Sequence, residues 1–309
     1  MKFNHSDLTS SQFPSLLYTA AQVRELDRVA IEEFNDPGIS LMEHAGNAVF
    51  NALCLRRPRT RRIAVICGGG NNGGDGYVVA RLAVSAGIRV VIYQLGDVQR
   101  LQGDALTAYE RLEGTRVEMH AYDGQPLEEM DVIVDAMLGT GLNGEVTGVW
   151  RLAIEAVNTA AQQGSYIVAC DIPSGLHADT GSVLGCAVNA DLTVTFIAMK
   201  QGLLTAMGPD HCGEIVFNDL QVPHEIYAQV ENSAVLITNE MIDEKLKPRR
   251  PSTHKGQCGH VLVVGGNHGM SGAVKLAGEA AYRTGAGLVT IATRSKHAEF
   301  INVTRPELM

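Results

Sequence analysis

Short apolar runs and longer stretches at helical spacing follow one another along this chain, separated by turns rich in glycine. Ile63, Ala64, Val65 and Ile66 form an unbroken apolar run, the pattern of a parallel strand covered on both faces. Tyr77, Val78, Ala80, Leu82 and Ala83 then recur at helical spacing up to Gly87, which suits the position just past a helix end. The rhythm continues with strands over 89–93, 132–134, 166–169, 192–196 and 214–217, and helices over 101–112 and 149–161. Ahead of them, Thr19 and Gln22 stand at capping-box spacing and open a helix with Val23, Leu26, Ala30 and Phe34 on one face. Pro37-Gly38 breaks that helix. Ser40 and Glu43 have the same spacing and predict a second helix carrying Leu41, Ala45, Ala48, Val49 and Leu53. Strand, loop and helix in repetition predict an α/β fold, a doubly wound, Rossmann-like αβα sandwich.

The pattern changes after residue 228. Pro223, Pro248 and Pro251 punctuate a stretch that ends in the basic run KLKPRRP, and 229–251 reads as a linker between domains at 1–228 and 252–309. Beyond it come a strand at 260–264, a glycine turn, a helix at 274–284 and a strand at 288–292. One such unit cannot cover both faces of a sheet, so 252–309 is expected to be the truncated start of a domain.

The length of 309 residues suits about two domains, and 45% apolar content allows a sizeable core. Lys plus Arg is 25 against 34 for Asp plus Glu, a net charge of −9. That acidity argues against nonspecific nucleic-acid binding and membrane-surface binding. The six cysteines stand at 54, 67, 170, 186, 212 and 258, with no C-x-x-C pair, and read as thiols of a reducing compartment. The N-terminus has no apolar signal core, and no run is long enough to span a bilayer, so a cytoplasmic location is expected.

Chemistry enters at the turn between the first strong strand and its helix. In GGGNNGGDG (68–76), Gly68, Gly70 and Gly73 satisfy G-x-G-x-x-G, which turns tightly and lets backbone approach a diphosphate at a helix N-terminus. The pattern alone is unspecific, since packing also selects glycine turns. Asn71, Asn72 and Asp75 sharpen it with two amides and an acid. Asn72, Asp75, Asp135, Asp171, Ser174 and Lys200 all follow the carboxyl ends of strands, four different ones. In open α/β sheets ligands bind there, so these groups are expected on one rim. Asp97 stands about where a ribose-binding acid would follow, yet its GDVQ context reads as a loop carboxylate. His44 reads as a packing histidine, because no second histidine lies four residues on.

Five spaced motifs carry a family resemblance: LMEHAG (41–46), GGGNNGGDG (68–76), VDAMLGTGL (134–142), DIPSGL (171–176) and TFIAMKQGL (195–203). Over roughly 18–223 the chain resembles the YjeF N-terminal domain, the NAD(P)H-hydrate epimerases. HKGQCGHVLVVGGNHGMSGA (254–273) resembles the opening of the ADP-dependent NAD(P)H-hydrate dehydratases, of ribokinase-like fold, without their later G-T-G-D motif. The resemblance implies an isomerase of metabolite repair that interconverts the R and S epimers of hydrated NADH or NADPH. A longer parent would also be a lyase, dehydrating the S form with ADP (or ATP) and Mg2+, a step not expected of these 309 residues.

The resemblance also implies site residues. Asn71, Asn72, Gly73, Gly74 and Asp75 would contact the hydrated nucleotide, with Gly139, Thr140, Gly141, Leu142, Asn143, Gly144 and Glu145 contacting it from the next loop. Asp171 would act as general acid and base at the reacting ring. Asn72, Asp135 and Ser174 would hold K+, whose hardness suits oxygen ligands. Ala273 would line the nucleotide in the second domain. Lys200 is either a solvated strand-end lysine or a group with a catalytic or phosphate-binding role. The expected partner is the hydrated nucleotide, with no nucleic acid and no membrane, and self-association into a homo-oligomer is expected. Two readings compete with the epimerase: an NAD-dependent oxidoreductase sharing the glycine turn, and a non-enzymatic scaffold of YjeF type, which the presence of Asn72, Asp75, Asp135 and Asp171 disfavours.

Overall fold

In the computed structural model, residues 14–309 are described, apart from Asn35 and Glu128. The chain divides into two compact units, Met1–Ile237 and Thr238–Met309.

In the first unit the elements run β1 (Leu16–Tyr18), α1 (Ala20–Glu33), α2 (Gly38–Arg56), β2 (Arg62–Cys67), α3 (Asn71–Ser85), β3 (Arg89–Gln94), α4 (Gly103–Glu110), β4 (Glu118–Ala121) and β5 (Val132–Ala136). They continue through α5 (Gly148–Gln162), β6 (Tyr166–Cys170), β7 (Leu192–Phe196), β8 (Met199–Lys200), α6 (Gly208–His211), β9 (Glu214–Asn218) and β10 (Ala234–Val235). Seven strands form one sheet in the order β4-β3-β2-β5-β6-β7-β9, every pairing parallel. The chain winds outward from β2 to β4, returns, and winds the other way from β5. The order therefore reverses between β2 and β5, where Ile63 pairs with Val90 on one side and Val132 on the other.

The period-two alternation of the central strands sorts their side chains onto two cores. Ile63, Val65, Val132, Val134 and Val168 pack with α1 to α4, through residues such as Leu26, Val49, Val79 and Ala105. Ala64, Ile66, Ile133 and Ile167 face the other way, onto Ile154 and Val157 of α5. Both faces are covered, as unbroken apolar strands require. Cys67 and Cys170 are buried in the first of these cores, Cys212 is buried in a smaller cluster with Ile172, Met199 and Leu203, and all six thiols are free. No helix among the described residues is long and apolar enough to cross a membrane.

The Thr19–Gln22 capping box is present, with both reciprocal bonds formed. The Ser40–Glu43 box is not. α2 begins at Gly38 behind Pro37, so Ser40 already lies inside the helix. Glu43 instead forms ion pairs with Arg81 and Arg111. Pro37, with its φ of −59°, sets the helical entry earlier than the box spacing suggested. The stretch expected to be a linker contains ordered elements: β10 pairs antiparallel with β1, and the next helix lies beyond it.

That helix, α7 (Asn239–Lys245), opens the second unit, followed by β11 (His260–Val264), α8 (Ser271–Arg283), β12 (Leu288–Ala292) and α9 (Ser295–Ile301). β11 and β12 pair in parallel over a small core of Val274, Val289, Ile301 and Leu308. Leu262 and Val264 are left 61% and 75% exposed.

Candidate functional site at the sheet switch point

A cavity of about 560 Å3 opens where the strand order reverses. Its floor is the turn after β2 (Gly69, Gly70, Asn71, Asn72) and the loop after β5 (Met137 to Asn143). α1 contributes Val23, Arg24, Asp27 and Ile31; α2 contributes Leu41, Met42 and Ala45; Asp75, Asp104, Trp150, Asp171, Phe196, Ile197, Lys200 and Leu220 complete the wall. This is the crevice in which doubly wound sheets bind ligands.

The glycines of the turn divide by role. A Cβ on Gly68 would stand 2.0 Å from the Met137 carbonyl oxygen, and one on Gly73 would stand 2.1 Å from the Gly68 carbonyl oxygen. Gly68 lets the end of β2 touch the loop after β5, and Gly73 lets the first turn of α3 touch the end of β2. At Gly69 and Gly70 a Cβ would meet nothing within 4 Å. There the missing side chain leaves backbone open to the cavity at the helix N-terminus, the setting that favours a phosphate. Gly73→Ala is expected to destabilise the first unit by about 1–3 kcal/mol, the usual cost of forcing atoms into a packed site, whereas Gly70→Ala costs less; denaturant unfolding followed by circular dichroism measures both.

Asp171 sits just past β6 at φ +65°. The Ile172 N–H bonds back to the Cys170 carbonyl at 2.8 Å, which makes Asp171 the centre of a γ-turn of the rarer, strained hand. Ile197, just past β7, repeats this, with φ +60° and the Ala198 N–H 2.6 Å from the Phe196 carbonyl. The Asp171 N–H bonds to Val194 O at 2.7 Å, which ties the first turn to the strand that leads into the second. Strain of this kind persists where surroundings over-determine it, and it collects at functional sites.

Lys200 supplies that surround. It is 1% exposed, so the solvated reading does not hold. Its Nζ donates to Asp171 Oδ1, to Thr195 Oγ1 at 3.1 Å and to Phe196 O at 2.8 Å, which uses all three N–H groups. Asp171 Oδ1 also accepts from Thr195 Oγ1 and Phe196 N, both at 3.3 Å. Its other oxygen, Oδ2, has no hydrogen-bond partner among the described residues.

Three further carboxyls line the same cavity: Asp75, Asp27 and Asp104. Asp75 is 8% exposed, and burial pushes its pKa well above the usual carboxylate range, with the charges of Asp171 and Asp27 adding to the rise and Lys200 opposing it. Asp27 is pushed up to about 6, first by burial and also by Asp171, against Lys200 and Arg24. Sequence reading missed Asp27. It was hidden in a helix read only for its apolar face, although its spacing of four from both Val23 and Ile31 marks it as belonging to one stripe with them.

Asp135 and Ser174 lie beneath the cavity, both fully buried. Ser174 donates to Asp135 through Oγ at 2.6 Å and N–H at 2.8 Å, and the Ser174 Oγ accepts from Leu138 N–H at 2.9 Å. Burial pushes Asp135 up to about 6 in spite of these bonds and one from Met137 N–H. Asn72 stands against Gly139 of the same loop, and both its amide atoms are buried without a partner. An orphaned amide oxygen, a buried carboxylate and a hydroxyl are oxygen donors of the kind that fits a hard monovalent cation. Among the described residues no group of three His, Cys, Asp or Glu side chains could hold a metal ion.

The other expected contacts fall elsewhere. Gly73 and Gly74 are packed inside α3, where the Gly74 N–H bonds to Gly70 O at 3.1 Å and its α-carbon faces Met42. Gly144 and Glu145 are exposed beyond the lining residues. Ala273 is exposed on α8 of the second unit. Asp97 caps a short 3-10 turn by accepting from Gln99 N–H at 2.9 Å. His44 Nδ1 lies 3.0 Å from the Leu220 carbonyl, a packing role as read.

Comparison with known proteins places the chain in a family. The model of the family described as YjeF-related protein N-terminus matches residues 38–202. The chain belongs to this family. A second family model, described as NAD(P)H-hydrate dehydratase, matches 261–309. The chain is 45% identical to the bifunctional NAD(P)H-hydrate repair enzyme Nnr of Coxiella burnetii, over 96% of this chain and 60% of that one. It is 40% identical to the enzyme of the same name from Escherichia coli, over 96% of this chain and 57% of that one. The chain thus spans less than two thirds of these curated relatives. The crystal structure of yeast ynu0 matches with a TM-score of 0.60 at 21% identity, over 72% of this chain and 96% of that one, a likeness of fold.

Proposed function

We propose that the first unit interconverts the R and S epimers of hydrated NADH and NADPH. One observation carries the reading: Asp171 has one carboxylate oxygen fixed by Lys200, Thr195 and Phe196 and the other free, on the wall of a cavity at the sheet switch point. The relatives, named as NAD(P)H-hydrate repair enzymes, point the same way.

The substrate carries a hydroxyl on C6 of the reduced nicotinamide, beside N1. The N1 lone pair expels that hydroxyl and forms an N1=C6 iminium, and water returning to the other face inverts C6. A carboxyl must donate a proton to the departing oxygen, and a carboxylate must accept one from the returning water. Asp171 Oδ2 is available for that work; Lys200 holds Oδ1 and orients it. The diphosphate has the N-terminus of α3, and Gly69 and Gly70 clear its approach. The nucleotide is also expected to meet Asn71, Asn72, Asp75 and the loop from Gly139 to Asn143.

Asn72, Asp135 and Ser174 would hold K+. Bound there, the ion would supply positive charge beside Asp135 and favour its ionised form. Expected outcome: K+ raises the unfolding temperature of the wild-type chain above that in choline, by the stabilisation a bound ligand gives, about 2.7 kcal/mol at one hundred times Kd. Asp135→Asn and Asn72→Ala each remove that difference, read by differential scanning fluorimetry without substrate. Dehydration of the S form, with ADP or ATP and Mg2+, is the matching proposal for a chain of the relatives' full length. A cytoplasmic, homo-oligomeric protein is the accompanying expectation.

The test of the main reading incubates the chain with purified R or S hydrate and separates the epimers by chromatography. Interconversion faster than the spontaneous background supports it. Unchanged epimers alongside reduction of NAD by small alcohols would instead favour an oxidoreductase.

A further inference from the structure

Inverting C6 places proton transfer on two faces of the ring, and Asp171 Oδ2 lies against one of them at a time. The hydroxyl leaves from one face of the ring and water returns to the other, so proton transfer has to be served on both faces. Asp171 stands on the wall made by the ends of β6 and β7. The facing candidates are the other carboxyls of the cavity.

Asp27 has the features of such a group. It lies on α1, outside the residues matched by the family model, 38–202. Val23, Asp27 and Ile31, four residues apart, line the cavity together, so this face of α1 is a wall of the site. Its carboxyl forms no hydrogen bond or ion pair among the described residues. An unpaired, half-buried carboxyl between two apolar neighbours costs stability and returns none in packing. Groups kept at such a cost are found at functional sites. The charges that act on it are Lys200 and Asp171 from the sheet end and Arg24 from its own helix, and it in turn acts on Asp75 of α3. Asp27, Asp171 and Lys200 all line the one cavity. The rise of its pKa to about 6 gives it protonated and ionised forms in the working range of an acid–base catalyst.

We propose that Asp27 is the second acid–base group of the epimerisation, serving the ring face opposite to the one Asp171 serves, an inference that rests on the function proposed above. For one epimer, Asp27 as the acid gives its proton to the departing oxygen. The C6–O bond breaks, its electron pair leaves with the oxygen as water, and the N1 lone pair forms the iminium. A water attacks the other face, a new C6–O bond forms, the π pair returns to N1, and the proton lost by that water passes to Asp171. No electrons are gained or lost overall. The enzyme ends with the proton on the opposite carboxyl, which is the form that accepts the other epimer. Asp75, in the field of both, is placed to return the proton.

The experiment follows oxygen and stereochemistry together. Wild-type chain, Asp27→Asn, Asp27→Ser and Asp171→Asn are each incubated with the R and the S hydrate in water enriched in oxygen-18. Epimers are separated and their label measured, and folding is checked by circular dichroism. Both Asp27 variants are expected to slow inversion about 10²–10⁴-fold, the usual worth of a general acid–base group. They should also lose label exchange with retention from one epimer and keep it from the other, and Asp171→Asn should show the opposite asymmetry. Asp27→Glu, which keeps the acid, should recover part of the inversion. Wild-type inversion in a folded Asp27 variant, or equal loss of exchange from both epimers, overturns the assignment. If the wild-type chain inverts neither epimer, it is the proposed function that falls.

Discussion

Asp171→Asn is expected to slow epimerisation about 10²–10⁴-fold while leaving the fold in place. The amide keeps an oxygen where Oδ1 accepts from Lys200, Thr195 and Phe196, so the orienting bonds survive. It puts an NH2 group where Oδ2 was, and that group neither releases nor takes up a proton at neutral pH. The backbone tolerates the change, because the φ of +65° at this residue suits Asn about as well as Asp. Asp171→Ala would remove both the acid and the tolerance, and so would confuse the two effects. Rates come from epimer separation, fold from circular dichroism, and binding from fluorescence titration with NADH as a stand-in. A well-folded Asp171→Asn chain with wild-type rates would shift proton transfer to Asp75 or Asp27. It would not shift it to Lys200, whose three N–H groups are engaged.

The sheet was legible because its strands are unbroken apolar runs. Leu192–Phe196, His260–Val264 and Leu288–Ala292 match the expected bounds; polar or glycine residues end the last two on both sides, whereas Leu192–Phe196 follows Asp191 and is ended by the γ-turn centred on Ile197. β1, β8 and β10 were not legible. They have two or three residues each, too few to display a period of two, and they exist through pairing with each other. β4 was hidden for a different reason: as an edge strand reading EMHA it is mostly exposed and carries no apolar run. Helix existence followed from periodicity, but the start of α2 did not follow from a cap motif, because Pro37 fixes the entry without a side-chain bond.

For the site, topology outperformed side-chain type. Placing Asn72, Asp75, Asp171 and Lys200 at strand ends was enough to bring them to one cavity, since a parallel sheet sends all its carboxyl ends to one rim. What stayed out of reach were groups arriving from elsewhere. Asp27 comes from a helix that precedes the sheet, and Trp150 and Asp104 come from the first turns of α5 and α4. The individual roles of Gly73 and Gly74 also stayed out of reach, because a glycine that admits a ligand and one that admits a neighbouring backbone look the same in sequence.

The largest stability effect is expected from Lys200→Met. Methionine fills similar volume and removes the ammonium, leaving Asp171, Thr195 Oγ1 and Phe196 O without their common donor. Removing one partner of a buried ion pair costs about 3–5 kcal/mol, because the other charge stays behind. Asp171 is 16% exposed and keeps two weaker bonds, so water offsets part of this, and the low end of about 3 kcal/mol is expected. For a unit of this size that corresponds to a fall of about 6–12 °C in Tm. The strained turns should then loosen, as the Phe196 carbonyl that Lys200 holds belongs to the γ-turn centred on Ile197. The decisive variant is the double one. Adding Asp171→Asn to Lys200→Met removes the stranded charge, so the double variant should be more stable than Lys200→Met alone, with a coupling of about 0.5–3 kcal/mol in the double-mutant cycle. Strictly additive losses would mean that the two side chains do not act as a pair, and the account of Lys200 as the residue that orients Asp171 would fail with it.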